Sequence, residues 1–202
     1  MKKYFLIIIM ALLAVFITNT ASAQEESHFE LQWNISIPTG DFENWINESS
    51  IRGIEFGGTY HFETGVTVGG AVGYAAFFKK TPQITVEYQN NTITAVNFRD
   101  LYSWFFMAEA GYAYRSDFIM TPYVRLGIGA YYSEQVTQIG LLYWREENWN
   151  FGLRPEIGAL IEVPNSGIGF VVNAKYNTAI NYGKSLENLN YITFGAGIIF
   201  GF

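Results

Sequence analysis

The sequence predicts an all-β fold: an eight-stranded antiparallel up-and-down transmembrane β-barrel, preceded by a cleaved signal peptide. Three observations carry this. The first 23 residues have the three parts of an export signal. After them, apolar residues alternate with polar residues or glycine in eight segments, and no apolar run reaches the length of a membrane-spanning helix. The connections between these segments are alternately short and long. A chain of 202 residues is the size of one domain.

Lys2 and Lys3 supply a positive start, and Tyr4 to Ile17 is an unbroken apolar run of 14 residues. Ala21-Ser22-Ala23 before Gln24 is a small-residue cleavage site. The run is short for the roughly 20 residues of a transmembrane helix. Residues 1–23 are therefore expected to be a signal peptide, and 24–202 an outer-membrane β-barrel domain. No Cys lies near the cleavage point, which argues against lipid modification there.

Without Lys2 and Lys3, the remaining 10 Lys and Arg face 18 Asp and Glu, a formal net charge of −8. An acidic chain lacks the basic face that nucleic acid requires, so no nucleic-acid partner is expected. Export leads to a compartment where disulfides are allowed, yet the chain has no Cys. With only His28 and His61 besides, no metal site and no cofactor are expected.

Each segment sorts into two faces. Strand one, about His28 to Ile37, sets Phe29, Leu31, Trp33, Ile35 and Ile37 against His28, Glu30, Gln32, Asn34 and Ser36. Strand two, Gly53 to Phe62, sets Ile54, Phe56, Tyr60 and Phe62 against Glu55, Thr59 and His61. Strand three begins at Val66, and strand four ends near Tyr114 with Glu109 on its polar face. Strand five turns Arg125 to the polar face, strand six Arg154 and Glu156, and strand seven Lys175. Strand eight alternates Phe194, Ala196, Ile198, Phe200 and Phe202 with Thr193 and glycines.

A soluble sandwich or lipocalin-like barrel would alternate too, with its apolar face inward. Here the polar face is too rich in glycine to be a solvated exterior. The apolar face carries Trp, Tyr and Phe near the strand ends, as membrane girdles do. Short turns are expected at Glu63-Thr64-Gly65, at 115–119 and at Pro164-Asn165-Ser166-Gly167, with long loops on the opposite side. Pro155 falls mid-strand, where it removes a ladder donor, and a bulge is expected there.

Two stretches then carry a resemblance. Ile35-Ser36-Ile37-Pro38-Thr39-Gly40-Asp41-Phe42 resembles the exit of the first strand in the outer-membrane β-barrel domain family common in Bacteroidota. The alternation from Phe194 through Ile198 and Phe200 to the terminal Phe202 resembles the signal read by the outer-membrane assembly machinery. Over its mature length the chain is similar to small barrels of the OmpA/OmpX type. The resemblance implies the outer membrane of a Gram-negative bacterium, with the lipid bilayer and the assembly machinery as partners and a monomer as the working form.

The inward charges are the first candidate site. Setting Tyr114 opposite Met120 brings Glu109 opposite Arg125, and a turn at Ile139-Gly140 brings Arg125 opposite Arg154. Setting Val163 opposite Ile168 brings Glu156 opposite Lys175. Glu109, Arg125, Arg154, Glu156 and Lys175 should then form one ion network near mid-height. It serves either as a gate or solute site, or as mutual neutralisation inside an interior that side chains fill. His28 and His61 have no evident Ser-acid partners, so no catalytic residues are assigned and no enzyme is expected.

The second candidate site is external. Strands three and four continue past the membrane to a polar tip at Gln89-Asn90-Asn91, and the loop from Ser133 to Asn148 carries Tyr143 and Trp144. Tyr88, Asn90, Asn91, Tyr143 and Trp144 are candidates for contact with an extracellular protein or glycan. The expected function is that of a non-enzymatic, plugged, integral outer-membrane barrel with structural or interaction roles. A minor channel for small or hydrophobic solutes and a lipid-active enzyme are the alternatives.

Overall fold

The computed structural model describes residues 26–88, 91–114, 119–164, 166–180 and 188–201. The expected signal peptide, Asn90, Asn165 and Phe202 lie outside them, as does most of the expected turn at 115–119. The strands are β1 (Glu26–Thr39), β2 (Ser50–His61), β3 (Val66–Tyr88), β4 (Asn91–Ala113), β5 (Met120–Ile139), β6 (Leu142–Glu162), β7 (Ile168–Ile180) and β8 (Asn188–Gly201). One short helix, α1 (Asp41–Trp45), lies between β1 and β2. All eight strands pair antiparallel in sequence order, and β8 closes on β1. Closure gives every strand a neighbour on both sides, as a bilayer without water demands of backbone N–H and C=O groups.

Alternation drives the fold as the sequence predicts. Phe29, Leu31, Trp33, Ile54, Phe56, Phe106, Ile128, Phe151, Phe170 and Phe194 are exposed on the outer wall, while His28, Glu30, Glu55, Glu109, Arg125, Arg154 and Lys175 are buried inside. The outer wall carries aromatic clusters, among them Tyr132 with Trp149 at 5.2 Å and Tyr60 with Phe62 at 4.9 Å. Among the described residues no helix is long and apolar enough to cross a membrane. Two short turns place glycine where φ is positive, Gly65 at 84° and Gly167 at 63°.

Three local expectations fail. The pairing of β6 with β7 lapses at Arg154 and Pro155, but Leu153↔Thr178 and Glu156↔Lys175 keep one register, so no bulge forms. Pro155 faces outward and stays aligned with Leu126 of β5. A missing donor costs a hydrogen bond without adding a residue to the strand. The bulge of β3 and β4 falls instead between Thr81 and Ile84, around Pro82.

The second failure is register. Glu109 is opposite Gly127, with Arg125 opposite Gly111. Arg125 is opposite Glu156, and Arg154 is opposite Gly127. Both hairpins are two residues from the expected alignment. A two-residue slip returns every side chain to the same face, so burial pattern alone cannot detect it. The third failure follows from the second. Ser133 to Asn148 is not a loop but the top of the β5–β6 hairpin, paired to Ile139↔Leu142 around a turn with Gly140 at φ 58°.

Interior glycines make room for large neighbours. A Cβ at Gly152 would lie 2.6 Å from Cδ2 of the buried Tyr131 ring and 2.7 Å from the Thr178 carbonyl oxygen. Gly152→Val should therefore destabilise the barrel by about 1–3 kcal/mol through overpacking, read as a lower urea midpoint for unfolding from lipid vesicles.

Candidate functional site

The barrel interior is stacked in three tiers. At the end with the short turns, Ala113, Tyr123, Leu160, Val171 and Ile199 form an apolar cluster. The rings of His28 and His61 meet edge to face at 4.6 Å, and His28 Nε2 lies 3.9 Å from Glu162. At the other end Phe77, Leu101, Phe105, Tyr131, Leu189 and Tyr191 form a larger cluster. α1 drops into that mouth: Phe42 and Ile46 are fully buried, and Phe42 meets Phe77 edge to face at 4.8 Å. Arg99 holds the helix end by donating to the Trp45 carbonyl oxygen at 2.9 Å.

Between the two apolar clusters lie the charges. Arg154 Nη2 donates to Glu55 at 3.0 Å and to Glu109, joining β6 to β2 and β4 across the lumen. Its guanidinium also rests over the Phe105 ring at 4.7 Å. Arg125 donates to Glu30 at 2.7 Å and lies 4.0 Å from both Glu109 and Glu156. Lys175 Nζ donates to Glu55 at 2.6 Å and to the Gln32 side-chain oxygen at 2.8 Å. Glu156 accepts from the Tyr123 hydroxyl at 2.6 Å and from Asn173 at 3.0 Å. A cavity of about 10 Å³ beside Arg154, Lys175 and Glu55 has room for about one water.

Long charged side chains fit because the facing strands are bare there. β3 and β8 contribute no charge to the layer; they present Gly73, Gly195 and Gly197. A Cβ at Gly195 would stand 2.8 Å from the Gln32 side-chain oxygen, and one at Gly197 2.9 Å from Gln32 Cγ.

All five residues singled out from the sequence point inward and belong to this layer. Lys175, aligned with Glu156, bonds Glu55 instead, because its side chain reaches across the lumen. Glu30 and Glu55 were legible as inward residues but not as members. The cross-strand rule links only neighbouring strands, whereas Glu30 meets Arg125 of β5 and Glu55 meets Arg154 of β6. The short helix α1 at the mouth is not anticipated by the alternation, although the apolar Phe42 and its C-cap residue Ile46 stand four residues apart.

The external candidates lie high on two hairpins. Tyr143 and Trp144 are exposed on β6, and the backbones of Tyr88 and Asn91 are paired at the top of β3 and β4. Of the terminal strand residues, Phe194, Ile198 and Phe200 are on the outer wall of β8. Among the described residues no group of three or more His, Asp or Glu could hold a metal ion.

An apolar outer wall around a polar, charge-paired lumen, closed by eight strands with short turns at one end, defines an integral β-barrel of the outer-membrane class. Comparison agrees. A protein-family model described as the outer membrane protein beta-barrel domain matches residues 8–200, and the chain belongs to that family. Its environment is thus the lipid bilayer of the outer membrane. None of the curated proteins matches the sequence.

Among solved structures, neisserial surface protein A is 15% identical with a TM-score of 0.54, over 88% of this chain and 97% of that one. The attachment invasion locus protein Ail of Yersinia pestis, in complex with the heparin analogue sucrose octasulfate, is 16% identical with a TM-score of 0.50, over 89% and 100%. Outer membrane protein OprG from Pseudomonas aeruginosa is 11% identical with a TM-score of 0.47, over 88% and 95%. These likenesses concern the fold.

Arg154→Met should cost about 3–5 kcal/mol, because it strips the buried Glu55 and Glu109 of a shared partner. The check is the urea midpoint of the vesicle-embedded barrel. Arg145→Met, at an exposed pair, should leave the midpoint close to that of the parent in the same assay.

Proposed function

We propose that this chain is a non-enzymatic outer-membrane barrel, closed along its length by its own side chains, whose structural or interaction role is carried by the hairpins above the membrane. The order of the interior supports this: an apolar cluster, a crossed layer of ion pairs, and a second apolar cluster stoppered by α1. An ion would have to break pairs held at 2.6 to 3.0 Å and then cross an apolar, aromatic tier. The low dielectric of such a tier makes that crossing costly. Eight strands leave an interior that side chains just fill.

On this reading the chain works as a monomer, and the external partner is a protein or glycan met near Tyr88, Asn90, Asn91, Tyr143 and Trp144. Phe194, Ile198, Phe200 and Phe202 are the strand read by the assembly machinery.

Planar-bilayer recording of the purified barrel should show no steady ion current. A steady current that changes in Glu109→Gln or Arg154→Met would overturn the plugged reading. The non-enzymatic part has its own check. A lipid-modifying activity present in the parent and lost in His61→Ala would sink it.

A further inference from the structure

The charged layer does not balance. It holds four buried carboxyls, Glu30, Glu55, Glu109 and Glu156, against three buried cations, Arg125, Arg154 and Lys175. With every group ionised, one negative charge is in excess. A buried charge without a counter-charge is costly, and such a group sheds its charge where it can.

The excess falls on one residue. Glu30 accepts from Arg125 at 2.7 Å, Glu55 from Lys175 at 2.6 Å and Arg154 at 3.0 Å, and Glu109 from Arg154. Among the described residues, Glu156 has no cationic nitrogen within hydrogen-bond distance. Arg125, opposite it on β5, stays 4.0 Å away, and Lys175, opposite it on β7, turns to Glu55. Its donors are neutral: the Tyr123 hydroxyl at 2.6 Å and the Asn173 amide at 3.0 Å, both on Oε1. The same Asn173 amide carries a buried oxygen, Oδ1, with no donor among the described residues.

Other sources of positive charge fit less well. The small cavity of the layer borders Glu55, Arg154 and Lys175 and not Glu156, and two cations on its rim disfavour a metal ion there. β3 and β8 turn Gly73, Gly195 and Gly197 toward the layer. His28 and His61 belong to the tier at the short turns, where Glu162 lies 3.9 Å from His28 and would match a charge on it.

We propose that Glu156 is a proton-binding site: its carboxyl keeps one proton at neutral pH, and that proton serves as the fourth positive charge of the layer. Oε1 already accepts two hydrogen bonds, so the proton belongs on Oε2. The proposal rests on the reading that the lumen is closed, because a water-filled lumen would solvate the ionised carboxylate. A steady bilayer current reports failure of that reading. An ionised Glu156 in a barrel that passes no current reports failure of this one.

The test is infrared spectroscopy of the full mature barrel in zwitterionic nanodiscs at neutral pH, where solvated carboxyls are ionised. The parent should show the carbonyl stretch of an un-ionised carboxylic acid. Glu156→Gln, which leaves three acids facing three bases, should lack it. Tyr123→Phe should keep the band and move it to higher frequency, because the acid carbonyl loses a donor. Stability gives a second readout. An unfolded Glu is ionised above about pH 4.3, so folding takes up a proton and stability falls as pH rises. Between about pH 6 and pH 8, the urea unfolding constant of the parent should climb about tenfold per pH unit more steeply than that of Glu156→Gln. Four results would overturn the proposal: no acid band in the parent, a band that survives Glu156→Gln, a band unmoved by Tyr123→Phe, or equal pH slopes in parent and Glu156→Gln.

Discussion

The Arg154 guanidinium, shared by Glu55 and Glu109, is the contact on which the interior depends. It comes from β6 and reaches β2 and β4, so it braces the cylinder across its diameter, where the backbone ladder acts only around the circumference. Arg125 with Glu30, and Lys175 with Glu55, brace other diameters. A buried charge is costly unless it is paired and hydrogen-bonded. Glu30, Glu55, Glu109 and Glu156 can therefore be inside only if Arg125, Arg154 and Lys175 stay with them. The neutral donors Tyr123, Asn34 and Asn173 complete the layer.

That layer in turn constrains the wall. Long side chains need space opposite them, which is why β3 and β8 turn glycine inward where β1, β2, β6 and β7 turn acids, amides and bases. Moving the same residues by one position would face Arg and Lys toward lipid, at roughly 2–4 kcal/mol each near the bilayer midplane. The polar interior thus fixes the face of each strand as firmly as the lipid-facing side chains do.

Much of this was legible in the sequence, and the gaps have physical causes. Strand count, wall faces and the five inward charges follow from a two-residue period, which is local information. The alignment of Glu109 and Arg125 was not recoverable, because slips of two residues preserve every face. Partners across the lumen, Glu30 with Arg125 and Glu55 with Arg154, were hidden for a different reason. They are set by closure, which joins strands far apart in sequence. The tall β5–β6 hairpin is not legible in the sequence, because Arg145-Glu146-Glu147 interrupts the apolar alternation of β6. Outside lipid, that alternation is no longer required.

The seating of α1 carries a consequence for how the molecule is made. Phe42 is packed against Phe77 of β3 and Tyr191 of β8, and Arg99 of β4 holds the Trp45 carbonyl. The stopper follows β1 immediately in the chain, yet its socket is built from strands that come later, one of them the last. These contacts span the chain from β1 to β8, so they are of long sequence separation. The contacts of α1 are therefore complete only when β8 has paired with β1, and a cylinder lacking its last strand would also lack the Tyr191 side of the socket.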